Sequence, residues 1–199
     1  MTGYQDFVNI FSNGKFVRSR EITKKFSFQK ALSSVYIIPT FFRGIYYIPT
    51  HRERKGHFIE NKKDFFTNLF HSRYGQKKWY WALSTSARYY GLEWSATTIL
   101  EIVTLEKSKT INISEKIRSL EKKKSYRSAL LVQYLSSLEV NIIYIHKGNQ
   151  DSFSSIQIDE TIGPICAKEQ IVKDIEKFSS KIRNHTLKKI YKRILTRYT

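Results

Sequence analysis

Phe41-Phe42-Arg43-Gly44-Ile45-Tyr46-Tyr47-Ile48-Pro49 is the stretch on which the fold turns. Ile45 to Ile48 is β-branched and aromatic, the composition of a strand. Ile37-Ile38-Pro39-Thr40, just before it, reads as the other arm of a hairpin. Pro39 has no N–H to give to a ladder, so that arm is expected at an edge. Gly44 permits the positive φ of a tight hairpin and places Arg43 near its tip.

Working upstream, Tyr4, Phe7, Val8 and Phe11 recur on one face of a helix, closed by Asn13-Gly14. Lys15 to Arg18 reads as a short extended link. Ser19 is expected to cap a helix over residues 20–26, with Ile22 and Phe26 facing inward. Ser27 is expected to cap the next, from Phe28 to about Tyr36, with Phe28, Ala31, Leu32 and Val35 as its apolar stripe. Three short helices with a tight turn between the last two make a helix-turn-helix, and a hairpin directly after them reads as a wing. In that arrangement Gln29, Lys30, Ser33 and Ser34 would face the major groove, where amide, ammonium and hydroxyl groups read base edges. Arg18, Arg20, Lys24 and Lys25 would meet phosphates, and Arg43 would lie near phosphate or the minor groove. Any one of these residues alone is explained by a solvated face; the set in this context points to contact.

These residues also carry a family likeness. Lys15 to Pro49, and within it Arg43-Gly44-Ile45-Tyr46-Tyr47-Ile48-Pro49, resembles the N-terminal winged helix of AbiEi-type antitoxins, regulators of abortive-infection toxin–antitoxin systems. Trp81-Ala82-Leu83-Ser84-Thr85-Ser86-Ala87-Arg88-Tyr89-Tyr90-Gly91-Leu92 resembles the stretch that follows in such proteins. The chain departs from the family at Val35-Tyr36-Ile37-Ile38-Pro39, where relatives often carry a Gly-Leu turn. The resemblance implies autoregulation of an operon through double-stranded operator DNA. It also implies counteraction of a nucleotidyltransferase-like toxin without a stable complex, and a second half that either restrains that partner or self-associates as a homo-oligomer.

Composition points the same way. Thirty-five Lys and Arg against 17 acids give a formal charge of +18, a field that attracts polyanions. Cys166 is the only cysteine, which excludes an intramolecular disulfide and a cysteine-based zinc site and suits a reducing cytosol. Met1 to Ile10 lacks the basic-then-apolar pattern of a signal peptide, and no window approaches 18 apolar residues. The expected location is cytoplasmic, with no membrane partner.

Beyond Pro49, the run His51-Arg52-Glu53-Arg54-Lys55-Gly56 reads as a basic linker whose Arg52 and Arg54 could follow the phosphate backbone. Asp64 to Phe70 reads as a helix. Trp81 is expected on a helix that continues through Ser84, Thr85 and Arg88. Thr97–Thr104 and Thr110–Ile113 suggest a hairpin. Ser114–Lys124 and Tyr126–Leu138 read as helices, Val140–His146 and Phe153–Ile158 as strands, and Ala167–Tyr198 as helix with a break at Asn184-His185-Thr186. The expected class is α+β: a winged helix-turn-helix over 1–50, a linker over 51–60, and a mixed α/β domain over 61–199 ending in a long helix.

Motifs that carry chemistry are few. There is no phosphate-binding loop, dinucleotide fingerprint, zincin motif or nucleophile elbow, and the five histidines lack metal-ligand spacing. Glu93, Glu101, Glu106 and Lys107 are the one set suited to a metal-dependent nuclease. Adjacent Glu106 and Lys107 would point to opposite faces of a strand, which argues against it. No catalytic residue, metal ligand or cofactor is therefore expected. The alternatives to a regulator are a metal-dependent nuclease-like protein and a non-specific nucleic-acid binder.

Overall fold

The computed structural model describes residues 3–95 and 98–198, so Met1, Thr2, the expected strand start at Thr97 and the terminal Thr199 lie outside it. The class is α+β, closed by the helix His185–Tyr198. Two compact units form: one from the chain up to Arg73 with Ser114–Glu139, the other from Tyr74–Ile113 with the chain from Val140 onward. Residues 51–60 fall within the first of these units, and the chain beyond them contributes to both.

The first unit begins with α1 (Tyr4–Phe11), β1 (Lys15–Arg18), α2 (Ser19–Thr23), α3 (Phe28–Ser33), β2 (Ile38–Pro39) and β3 (Ile45–Ile48). The strands make an antiparallel sheet in the order β1-β3-β2, with Arg18 opposite Ile45 and Pro39 opposite Tyr46. Pro39 is on an edge strand, as its missing N–H requires. Ser27 caps α3 by accepting from the Lys30 N–H at 3.3 Å. Val35 takes a left-handed φ of 54°, and α3 ends at Ser33, short of the expected Tyr36. The start of α2 differs too: the Arg18 N–H is capped by the Glu21 carboxylate at 2.8 Å, and Ser19 is the first helical residue. Phe7, Ile22, Ala31, Ile37 and Ile48 are buried together beneath these elements. Full burial of a ring such as Phe7 contributes about 1.5–3 kcal/mol, which lets helices of five and six residues persist.

Residues 51–56 are not a linker but α4 (His51–Gly56). Thr50 accepts from the Glu53 N–H at 3.2 Å while the Glu53 carboxylate accepts from the Thr50 N–H at 2.8 Å, a reciprocal cap hidden inside a run of charge. Glu53 is buried and also accepts from the Tyr47 hydroxyl at 2.7 Å and the Glu60 N–H at 3.0 Å. These bonds tie β3, α4 and the following loop together. Burial first, and then the Glu53 carboxylate, push the Tyr47 phenol far above its ordinary range. The helix α5 (Lys62–Tyr74) buries Phe65, Phe66, Leu69 and Phe70. Two more helices, α7 (Ile113–Glu121) and α8 (Tyr126–Ser137), return to this unit, and the Tyr134 hydroxyl donates to the Glu53 carbonyl at 3.2 Å.

The second unit holds β4 (Trp79–Trp81), α6 (Leu83–Tyr89), β5 (Ile99–Thr104), β6 (Lys109–Asn112), β7 (Ile142–Lys147), β8 (Ile156–Asp159), β9 (Gly163–Cys166), α9 (Lys168–Phe178) and α10 (His185–Tyr198). Its six strands run β6-β7-β5-β4-β9-β8. The expected hairpin does not form: β7 inserts between β5 and β6, parallel to the first and antiparallel to the second. Trp81 is strand rather than helix, because a Trp-Tyr-Trp run buried on both faces suits a central strand better than a helix surface. The expected helix break at Asn184 is present: α9 ends at Phe178, a short 3-10 turn follows, and the Asn184 side chain accepts from the Leu187 N–H at 3.1 Å. One face of the sheet is covered by α6, α9 and α10 through Ala87, Ile171, Ile175, Leu187, Ile190 and Ile194.

Candidate nucleic-acid interface

The polar residues of α2 and α3 share an outer surface because Ile22 and Ala31 point the other way. Arg20, Lys24, Lys25, Gln29 and Ser33 are exposed. The Ser33 hydroxyl, however, donates back to the Lys30 carbonyl at 3.2 Å. Lys30 is half-buried, with Nζ 5.8 Å from the centre of the Phe26 ring. Arg18 is exposed, and its Nη2 donates to the Ser72 carbonyl at 3.3 Å.

The hairpin tip is anchored rather than projecting. Thr40 is buried, and its hydroxyl bridges the turn to the Ile45 carbonyl at 2.9 Å. Gly44, at φ 80°, gives its carbonyl to the Ser19 N–H at 3.1 Å, which fixes the tip beside the start of α2. Phe41 stacks on Phe66 and Phe42 meets Phe70 edge-on, each at 6.3 Å between ring centres. Only Arg43 of the tip is fully exposed. Two cations outside the expected set gather at these rings. Lys116 Nζ donates to the Thr40 carbonyl at 3.1 Å and lies 5.5 Å from the Phe41 ring, and Arg73 is 5.8 Å from the Phe42 ring. Nothing local to either residue signals this; the return of α7 to the first unit brings Lys116 there.

Three of the expected residues make contacts within the first unit. Ser34 caps the end of α3 and its carbonyl accepts from Arg54 at 3.3 Å. The Arg54 guanidinium packs on the rings of Tyr4 and Tyr36, at 4.5 and 5.2 Å from their centres. Arg52 is exposed but paired with Glu60 at 2.5 Å. Gln29, Lys30 and Ser33 thus remain on α3, with Arg20, Lys24, Lys25 and Arg43 around them, while Ser34 and Arg54, with Ser33 at its edge, line a cleft against α4 and α8.

The carboxylates weighed for nuclease chemistry do not converge. Glu101 is fully buried in β5 and its oxygens are engaged. The Ser84 N–H and hydroxyl donate to Oε2 at 3.0 and 2.5 Å, the Tyr191 hydroxyl donates to Oε1, and His146 Nε2 lies 3.4 Å from Oε1. Glu93 is buried against Arg193, at 3.0 Å, and Glu106 is exposed beyond the end of β5. Among the described residues no three His, Cys, Asp or Glu side chains are grouped to hold a metal ion. None of these described helices is long and apolar enough to cross a membrane.

A second buried carboxylate, Asp174 on α9, accepts from the Tyr80 hydroxyl at 3.0 Å and from Gln170 at 2.8 Å. Burial raises its pKa in spite of those bonds and of nearby Lys177 and His146. A carboxyl raised in the folded state stabilises the fold below its unfolded pKa and loses that contribution as pH rises through the folded one. Asp174→Asn keeps the oxygen that accepts from Tyr80 and removes the titration. Its urea midpoint is expected to gain on the parent's as pH is raised from 4 to 7. A midpoint difference independent of pH would contradict this account.

No protein-family model matches this chain, and no curated protein matches it.

Proposed function

We propose that the first unit carries a winged helix-turn-helix that binds double-stranded DNA by sequence, and that the protein is a transcriptional regulator of antitoxin type. The observation that carries this reading is the order α1-β1-α2-α3-β2-β3 closed by the antiparallel β1-β3-β2 sheet. That arrangement turns the buried faces of α2 and α3 inward and leaves Gln29 and Ser33 outside among Arg20, Lys24, Lys25 and Arg43. In this geometry α3 enters the major groove, α2 lies across a phosphate strand, and the short hairpin delivers Arg43 to the flanking backbone. The net charge of +18 supplies long-range attraction.

A salt titration on a fragment of the chain's own promoter and on a random duplex of equal length tests this. The promoter fragment is expected to bind roughly a thousandfold or more tightly, with both affinities falling steeply with salt. Equal affinities with equal slopes would instead identify a non-specific binder.

The antitoxin role rests on the resemblance of Lys15–Pro49 and Trp81–Leu92. It expects a nucleotidyltransferase-like toxin encoded beside this chain, whose growth arrest is relieved by co-expression. Growth arrest that co-expression of the full chain leaves unrelieved would remove the antitoxin role.

A further inference from the structure

The first unit contains a cleft of about 490 Å³ between the end of α3, α4 and α8, sharing only Ser33 with the proposed DNA-reading face. That volume falls within the range of small-molecule sites, about 300–1,000 Å³. Among the described residues its ionisable and charged lining side chains are His51, Arg54, Lys55 and His57, all basic, together with the phenol of Tyr126, and no carboxylate. Arg54 is held by the rings of Tyr4 and Tyr36 and by the Ser34 carbonyl, and among the described residues its buried Nε–H finds no acceptor. With Lys55 beside it on α4, this fixed guanidinium gives the cleft wall a positive charge that favours an oxyanion. At the other wall Tyr126, the first residue of α8, is 77% exposed. A ring so exposed contributes little to packing and presents a face for stacking a planar group.

We propose that this cleft binds a phosphate group carried on a nucleotide, with Arg54 and Lys55 taking the phosphate and Tyr126 the base. Two sources share that chemistry: a free mononucleotide and the backbone of a nucleic acid. Binding itself does not depend on the DNA-reading proposal. Its consequence does: Ser34, the cap of α3, lines the cleft, so an occupant bears directly on the end of the reading helix.

Calorimetric titration of the full chain with AMP, adenosine, inorganic phosphate and a random duplex separates the sources. Lys55→Glu and Tyr126→Ala serve as variants, both at exposed positions that leave the core intact. The expected result is that AMP binds and adenosine does not. Lys55→Glu weakens AMP about tenfold, as removal of a charge-assisted hydrogen bond to phosphate should. Tyr126→Ala weakens AMP but leaves inorganic phosphate unchanged. If free AMP and phosphate do not bind, but Lys55→Glu lowers duplex affinity and its salt slope by about one, the phosphate comes from nucleic-acid backbone. If Lys55→Glu changes neither AMP nor duplex binding, the cleft is not a phosphate site. Failure in the AMP arm leaves sequence-specific promoter binding untouched, so the two proposals fail separately.

Discussion

Replacing both Lys30 and Arg43 by alanine is expected to weaken binding to the chain's own promoter by roughly 2–4 kcal/mol, or about 30- to 700-fold. The two residues act from different elements. Lys30 lies on α3 with its ammonium beside the Phe26 ring, and Arg43 stands at a hairpin tip fixed to the start of α2 by the Gly44 carbonyl. Because the backbone at both positions is held by other groups, the double change should remove the two cationic side chains without disturbing the fold. Ser27 still caps α3, and Thr40 still closes the turn. The salt slope should fall by up to about two, one for each phosphate that is no longer neutralised. Gel-shift or anisotropy titrations at several salt concentrations read both quantities. Binding that survives the double change would show that α3 and the hairpin are not the reading head, whatever else the protein binds.

Glu101→Ala is expected to have the largest effect on stability, destabilising the second unit by roughly 3–5 kcal/mol. The carboxylate is fully buried and receives the Ser84 N–H, the Ser84 hydroxyl and the Tyr191 hydroxyl, with His146 alongside. Truncation leaves a methyl in its place and orphans donors from α6 and α10 together. Since Glu101 sits in a strand bordered by β4 and β7, the destabilisation should appear as one cooperative shift in the unfolding of that unit. Glu101→Gln keeps one acceptor but turns an amide toward donors, so it should fall between the parent and alanine. Urea denaturation followed by tryptophan fluorescence reports it directly, because Trp79 and Trp81 lie in the neighbouring strand. The same variants bear on the nuclease alternative. A buried carboxylate with its oxygens occupied has a structural role, and cleavage of DNA by the parent in magnesium or manganese, abolished in Glu101→Gln without loss of folding, would overturn that assignment.

The resemblance to AbiEi-type antitoxins and the geometry of the first unit support the same proposal from different sides. The likeness is carried by Arg43 to Pro49 and by the Trp81–Leu92 segment, one in each unit. The geometry contributes what a motif cannot: which cations remain exposed around α3, and which, like Arg54, are drawn into packing.

Local pattern determined α1, the capped start of α3, the hairpin arms and Pro39 at an edge, because each depends on periodicity or on one residue's backbone chemistry. It also carried the amphipathic α8 and α9 and the break at Asn184. The exposed set of Arg20, Lys24, Lys25, Gln29 and Arg43 was legible for the same reason: the buried partners Ile22 and Ala31 fix which way the short helices face. Tertiary structure alone decided the rest. The helix at 51–56 starts from a local Thr50–Glu53 cap that the run of charge concealed, but the burial of Glu53 beneath Tyr47 and Tyr134 that holds it in place came only from the packing. The β5–β6 hairpin gave way to insertion of β7, since pairing between distant strands leaves no trace in either strand's composition. Lys116 reached the hairpin tip, and Arg54 the end of α3, through hydrogen bonds spanning 76 and 20 residues of sequence. Such pairings follow from how segments pack, and no window of sequence contains both partners with the surface that joins them.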